Sequence, residues 1–260
     1  MTLSSIAMLF PLFWMILLSL KDFPEQYSGF LQLLLAPFTF KNYIEALSSD
    51  SFLTYFFNSL IVAFFVTAGN IIFCFLTAYA LERKKFKINK ILFATILGVL
   101  IIPQHIVMIP LYRLIVSFGW INTYFALIVP WVVTPFGIFM VKQFIQQLPL
   151  EIEEAARIDG CSDLKIVFKI VMPLCKPILV VLAVYTFLTN WNSFLFPFIL
   201  TNEDQMRTLP VGLAFYLGKQ SIDWGHLMAG ASFSAIPVIL LFLFFQKYVI
   251  KGMVQGALKE

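Results

Sequence analysis

Residues 146–177 read QQLPLEIEEAARIDGCSDLKIVFKIVMPLCKP, a polar stretch set between two long apolar runs and too long for a simple turn between neighbouring helices. Pro149 suits the first turn of a helix, Glu151, Glu153 and Glu154 complement its positive N-terminal dipole, and Arg157 lies near its other end. Gly160 then reads as the residue that stops it. Ser162 is placed to cap a second helix in which Leu164, Val167, Phe168 and Val171 recur at i, i+3, i+4 and i+7, with Lys165 and Lys169 outside that stripe and Pro173 ending it. The stretch is therefore a helix, a glycine turn and a second amphipathic helix. Ala155 and Ala156 let another surface approach closely, although the stripe alone fits a helix lying on lipid equally well.

Outward from this loop the composition decides the environment. Of 260 residues, 60% are hydrophobic, 17% aromatic and only 12% charged, with 30 Phe and a formal net charge of +4. A soluble domain carries about 25% charged residues, so the missing solvent-facing surface must face lipid. The 13 Pro and 12 Gly follow no short repeat, which excludes coiled coil and collagen, and the high hydrophobicity excludes disorder. Cys74, Cys161 and Cys175 are an odd number without CxxC spacing and read as free thiols. His105 and His226 lie far apart and leave little material for a metal site.

Six stretches reach the roughly 20 mostly apolar residues that a helix needs to cross a hydrocarbon core, near 3–20, 57–81, 91–112, 121–141, 177–199 and 229–249. The alternation of barrel strands is absent, so the fold class is all-α, a polytopic membrane protein of six transmembrane helices. The first run lacks the basic start and small-residue end of a cleaved signal peptide and reads as a retained anchor. Lys and Arg alternate strongly between the connecting segments: 13 fall on one side and 5 on the other, with 7 acidic residues on each. Short basic loops stay cytoplasmic, so both termini are expected there, with +6 inside and −2 outside.

Inside the spans no Asp, Glu, Lys or Arg occurs except Arg113, Lys142 and Lys247 at or beside their ends. The ionisable relay expected of an ion-coupled transporter is missing, and so is any GxxxxGK[ST] loop for nucleotide phosphates. Uphill transport would need energy from a partner. The conspicuous polar residues in spans are Asn58, Asn70, Gln104 with His105, Thr134, and the run Asn190, Trp191, Asn192, Ser193. Each either lines a path or locks helices together, and interhelical hydrogen bonding accounts for any one of them without a substrate. A run of four such residues covers every direction around its helix, so at least one must avoid lipid.

The order Glu154-Ala155-Ala156, three residues, Gly160, nine residues, Ile170-Val171-Met172-Pro173 resembles the EAA motif of bacterial ABC importer permeases, EAA-x3-G-x9-I-x-L-P, with Met172 in place of Leu. SLK at 19–21, FTFKNYIEAL at 38–47, MIPLYRLIVSFGWINT at 108–123, NWNSFLFP at 190–197 and the ending KGMVQGALKE are similar to the second, six-span permease subunit of the carbohydrate, maltose-type group. The likeness covers essentially the whole chain, although the basic leader common in that family does not precede Thr2.

The resemblance implies one transmembrane domain over 1–260, in the bacterial plasma (inner) membrane, with loop 147–177 as the coupling loop. Glu154, Ala155, Ala156, Asp159, Gly160, Ile170 and Pro173 are the implied ATPase-coupling residues, and the polar C-terminal tail is an implied second contact. The implied partners are a second permease subunit, a dimeric ABC ATPase, an external binding protein that delivers a sugar or oligosaccharide, and membrane lipid, with no nucleic acid. The chain itself is expected to be non-catalytic and to bind no cofactor or metal, ATP and Mg residing on the ATPase. For a neutral polyol path, Gln104, Asn190, Trp191 and Asn192 are the candidates, offering amides and an aromatic wall. In systems of this type the sugar lies mainly against the other permease, which leaves this chain little direct contact. Glycerol 3-phosphate or another polyol is the alternative cargo, the absence of midplane basic residues speaking against an anion. A stand-alone secondary transporter is the remaining alternative and does not account for the EAA spacing.

Overall fold

The computed structural model describes residues 2–48, 51–84, 86–217 and 224–257, without the side chains of 2–6, 216–217 and 248–257. The side chains of the C-terminal tail read above as an ATPase contact therefore lie outside the described residues. Among the described residues the secondary structure is helical, with no strand. The helices are α1 (Thr2–Ser19), α2 (Phe30–Leu35), α3 (Lys41–Ser48), α4 (Phe52–Arg83), α5 (Asn89–Ile101), α6 (Met108–Ser117), α7 (Tyr124–Ile128) and α8 (Pro135–Ile145). They continue with α9 (Glu151–Ile158), α10 (Asp163–Leu174), α11 (Lys176–Trp191), α12 (Leu195–Leu200), α13 (Leu209–Leu217) and α14 (Trp224–Ala257).

Each of the six expected spans has a helical counterpart, but only three are uninterrupted or nearly so: Phe52–Arg83, Tyr124–Ile145 and Trp224–Lys247. The stretch expected as one span at 91–112 is instead a pair of helices bent by 94°. Pro103 explains the break: it offers no N–H and forces the preceding Ile102 out of the helical region, to ψ 117°. The fifth span, expected over 177–199, begins as α11 and stops at Trp191, and α10 meets α11 at 75°. The first is the shorter apolar helix Ala7–Ser19 within α1.

The chain divides into two compact units, Met1–Leu60 with Asn192–Leu240, and Ile61–Trp191 with Leu241–Glu260. In the first, the Asn58 amide donates to Gln205 O and Arg207 O, and the Leu209 N–H donates to Ser59 Oγ, fastening the segment before α13 to the start of α4. Gly212 is pressed on the Tyr55 ring so closely that a Cβ there would lie 2.0 Å from it. Lys21, just past α1, is fully buried. Its ammonium donates to the carbonyls of Leu34 and Ala36 at the end of α2 and sits 3.7 Å over the Phe38 ring, a cation on the negative end of a short helix.

In the second unit the core gathers Phe75, Tyr79, Val141, Ile145, Ile166, Val171 and Leu182 from α4, α8, α10 and α11. The segment from α7 to α8 is broken by a 3₁₀ turn at Val129–Trp131, where Pro130 and then Pro135 interrupt the ladder. Asn70 of α4, fully buried, mends the break: its amide donates to Trp131 O at 2.5 Å, while its oxygen accepts from Thr134 Oγ1 at 2.8 Å and Cys74 Sγ at 3.3 Å. Thr134 in turn caps α8 by accepting from the Gly137 N–H. Gly137 has no room for a side chain, since a Cβ would meet Cys74 Sγ at 2.8 Å.

Candidate functional site

The loop at 146–177 folds as read in outline. Glu151, Glu153 and Glu154 occupy the first turn of α9 and Arg157 its last. Gly160 adopts φ +78°, with its N–H on Arg157 O and the Cys161 N–H on Ala156 O, the paired bonds that close a helix through a left-handed residue. A side chain at Gly160 would be strained by that φ, not by any neighbour, because nothing lies within 4 Å of its Cβ position.

Helix α9 shows two different faces. Its buried residues are Glu153 and Ala156, three apart, whereas Glu154, Ala155, Asp159 and Gly160 are exposed. Ile158 is 87% exposed and Leu164, just after the turn, 72%. Two bare aliphatic side chains flanked by Ala155 and by carboxylates give a surface suited to a protein partner rather than to a small ligand.

The inward face is held by charge. Arg83, in the last turn of α4, places Nε 2.7 Å from Glu153 Oε1 and donates Nη2 to Ile145 O and Leu148 O, at 3.1 and 2.7 Å. Tyr79, one turn earlier, donates its hydroxyl to Glu153 Oε2 at 2.8 Å. The pair is nearly dry, with side chains 10% and 3% exposed. Beside it Lys142 of α8 pairs with Glu82 at 2.6 Å and lies 4.4 Å over the Phe93 ring. Farther out, Lys84 contacts Asp163 at 2.9 Å and Arg157 approaches the same carboxylate at 3.4 Å. The hydrogen bond and charge of Lys84, aided by Arg157, hold the Asp163 carboxyl below the usual carboxylate range.

Helix α10 departs from the expected pattern. Ile166, Val167 and Val171 are buried while Leu164 and Phe168 of the expected stripe are exposed. A π-helical turn at Val167–Val171 adds a residue to the local period and rotates the remainder of the helix. It also removes the expected stop: Pro173 does not end the helix, because the widened turn accommodates its ring and its missing N–H, and the chain bends only after Leu174. Ser162 holds the N-cap position without a side-chain capping bond. Ile170 is partly buried against the core, and exposed Pro173 lines a cavity of about 470 Å³ with Ile71, Met172, Lys176 and Leu179.

The polar candidates for a path fall at different places. Gln104 is exposed in the 3₁₀ turn where α5 and α6 bend apart. Asn190, half-buried, returns its amide to Thr186 O one turn back on its own helix, at 2.9 Å. Trp191 is buried, with one face of the indole stacked on Phe187 at 5.7 Å, and Asn192 is exposed beyond the end of α11. Tyr79, Arg83 and Glu153 carry more of the local architecture than any of these, and the reading of the loop passed over their pairing. Only the inward placement of Glu153 had a local signal, the helical phase of α9, which sets it with Ala156 on the face opposite Ile158.

Comparison with known proteins agrees over nearly the full length. The family model described as binding-protein-dependent transport system inner membrane component matches residues 71–255. The arabinooligosaccharides transport system permease protein AraQ of Bacillus subtilis is 35% identical, covering 98% of this chain and 92% of that protein. The trehalose/maltose transport system permease protein MalG of Thermococcus litoralis is 36% identical, covering 99% and 94%. Among solved structures, a chain of a bacterial ABC transporter involved in the import of the acidic polysaccharide alginate superposes with a TM-score of 0.84, over 95% of this chain and 92% of that one. At 23% identity this last likeness bears on the fold.

Proposed function

Because the chain belongs to the inner membrane components of binding-protein-dependent transport systems, a family of multi-pass permease subunits rather than enzymes, we propose that it is one of two permeases forming the path of an ATP-driven sugar importer. The cargo is a neutral sugar or oligosaccharide, delivered by an external binding protein. The names of the relatives support a sugar, and the lack of charge within the spans suits a neutral cargo. Both termini lie in the cytoplasm, as the distribution of Lys and Arg favours.

The observation that carries the reading is the split character of α9. Its outer face, with Glu154, Ala155, Ile158 and Asp159, docks on a dimeric ABC ATPase that holds the ATP and Mg, while its inner face is tied to the membrane helices through Glu153. Closure of the ATPase pair then pushes α9 and turns the helices behind it. Gly160→Pro tests the docking: φ +78° is closed to proline. The variant should insert in the membrane but fail to copurify with the ATPase and lose uptake in vesicles supplied with ATP. Normal copurification and uptake would overturn the assignment.

A further inference from the structure

A helix that receives force must be attached to what it moves, and α9 is attached in an unusual way. It has eight residues, two turns, and only Glu153 and Ala156 among them are buried. An alanine methyl offers little grip, so the side-chain attachment of α9 is in essence one carboxylate. Both oxygens of that carboxylate are taken by α4, one by Arg83 Nε and one by the Tyr79 hydroxyl. The same guanidinium also donates to Ile145 O, the last residue of α8, and to Leu148 O beyond it. Arg83 therefore joins α4, the end of α8 and α9 through one planar, rigid group. A second pair, Glu82 with Lys142, ties the preceding residue of α4 to α8.

A buried ion pair contributes little net stability over apolar packing of the same volume, whereas it is directional and stiff when every oxygen and donor is engaged. We propose that Arg83, Glu153 and Tyr79 are positioning residues that form the transmission joint of the transporter. They transfer displacement of α9 to α4 and α8 as one body, so that ATP hydrolysis and cargo movement stay in step. This rests on the permease reading above, and it assigns to the inner face of α9 a role separate from docking, which belongs to the outer face.

The test uses the complete transporter reconstituted in vesicles: both permeases, the ATPase and the binding protein. Glu153→Ala leaves Ala155, Ile158 and Gly160 untouched, so the ATPase should still copurify and hydrolyse ATP. Cargo taken up per ATP should fall about tenfold, within the five- to 150-fold range of ordinary coupling energies. If that variant does not accumulate, Arg83→Lys serves instead, since an ammonium can pair with Glu153 but cannot also span the two carbonyls. A smaller fall in the same ratio is then expected. In the double variant Arg83→Cys, Glu153→Cys, made with Cys161→Ser so that the partly exposed free thiol of the loop does not compete, a short bifunctional thiol linker should restore the ratio by replacing the ionic joint with a covalent one. An unchanged ratio with the ATPase bound, or a linked double variant that stays uncoupled, overturns the joint and leaves the permease reading standing. Failure of the unaltered chain to bind any ATPase overturns the permease reading instead.

Discussion

Helix α4 grips its neighbours at two places with opposite chemistry. In its middle, Asn70 mends the break before α8 with a neutral amide, one hydroxyl and one thiol. Thirteen residues on, Arg83 holds the far end of α8 and Glu153 of α9 with a charge that is almost as dry. At both, a side chain of α4 donates to main-chain carbonyls where a neighbouring helix breaks or ends. The solvent behind each differs. Where lipid tails surround the bundle an unpaired charge has no escape, so an uncharged amide that can both donate and accept is the economical choice. At the end of the helix a guanidinium can keep its charge because Glu153 neutralises it. A neutral fastening holds a shape, and an ionic one also fixes a direction.

This contrast orders the effects of substitution. Arg83→Ala strands the Glu153 carboxylate in a site 3% exposed and should cost the most, about 3–5 kcal/mol, read from unfolding midpoints in detergent. Asn70→Leu removes the bonds of the amide to Trp131 O and to the Thr134 hydroxyl, neutral groups whose loss of a partner atom costs less, about 1–3 kcal/mol. If Asn70→Leu proved the more damaging of the two, the difference drawn between the sites would be broken. Thr134→Val keeps the shape but removes the cap of α8 and one bond to Asn70, for about 1 kcal/mol. It should cost less in the Asn70→Leu background, where the bond to Asn70 is already gone and only the cap remains to be lost.

The smallest effect is at the surface. Lys84 depresses the Asp163 carboxyl, so the contact contributes while pH stays above the ordinary carboxylate range and fades as pH falls through the lowered folded value. Lys84→Ala should raise the Asp163 titration midpoint toward the ordinary value, followed by carbon NMR of labelled aspartate, with little change in unfolding because both groups are exposed.

Hydropathy alone made the spans legible, because lipid demands a long apolar helix whatever its neighbours. The turn at Gly160 was legible too, since a left-handed stop has a local signature. The bend at Pro103 was visible as a proline but not as a 94° change of direction, because proline fixes one residue's φ and leaves the angle to packing. The shifted face of α10 was hidden for a related reason. A π-helical turn alters the period from which a buried stripe is read, and only the packing of Ile166 and Val171 reveals it. Arg83 was legible as a charge that orients a loop, and Glu153 as a carboxylate that suits a helix start. That they meet depends on chain folding across seventy positions, which no local pattern records.

The buried lysine on the other unit bears on how the orientation of this chain would be mapped. With its ammonium enclosed by Leu34 O, Ala36 O and the Phe38 ring, Lys21 is shut off from amine-reactive probes applied to either side of a sealed vesicle. Its silence to an outside reagent would mimic a cytoplasmic location. Lys41, half-exposed beside Asp22, is the residue whose labelling reports which side the segment after α1 faces.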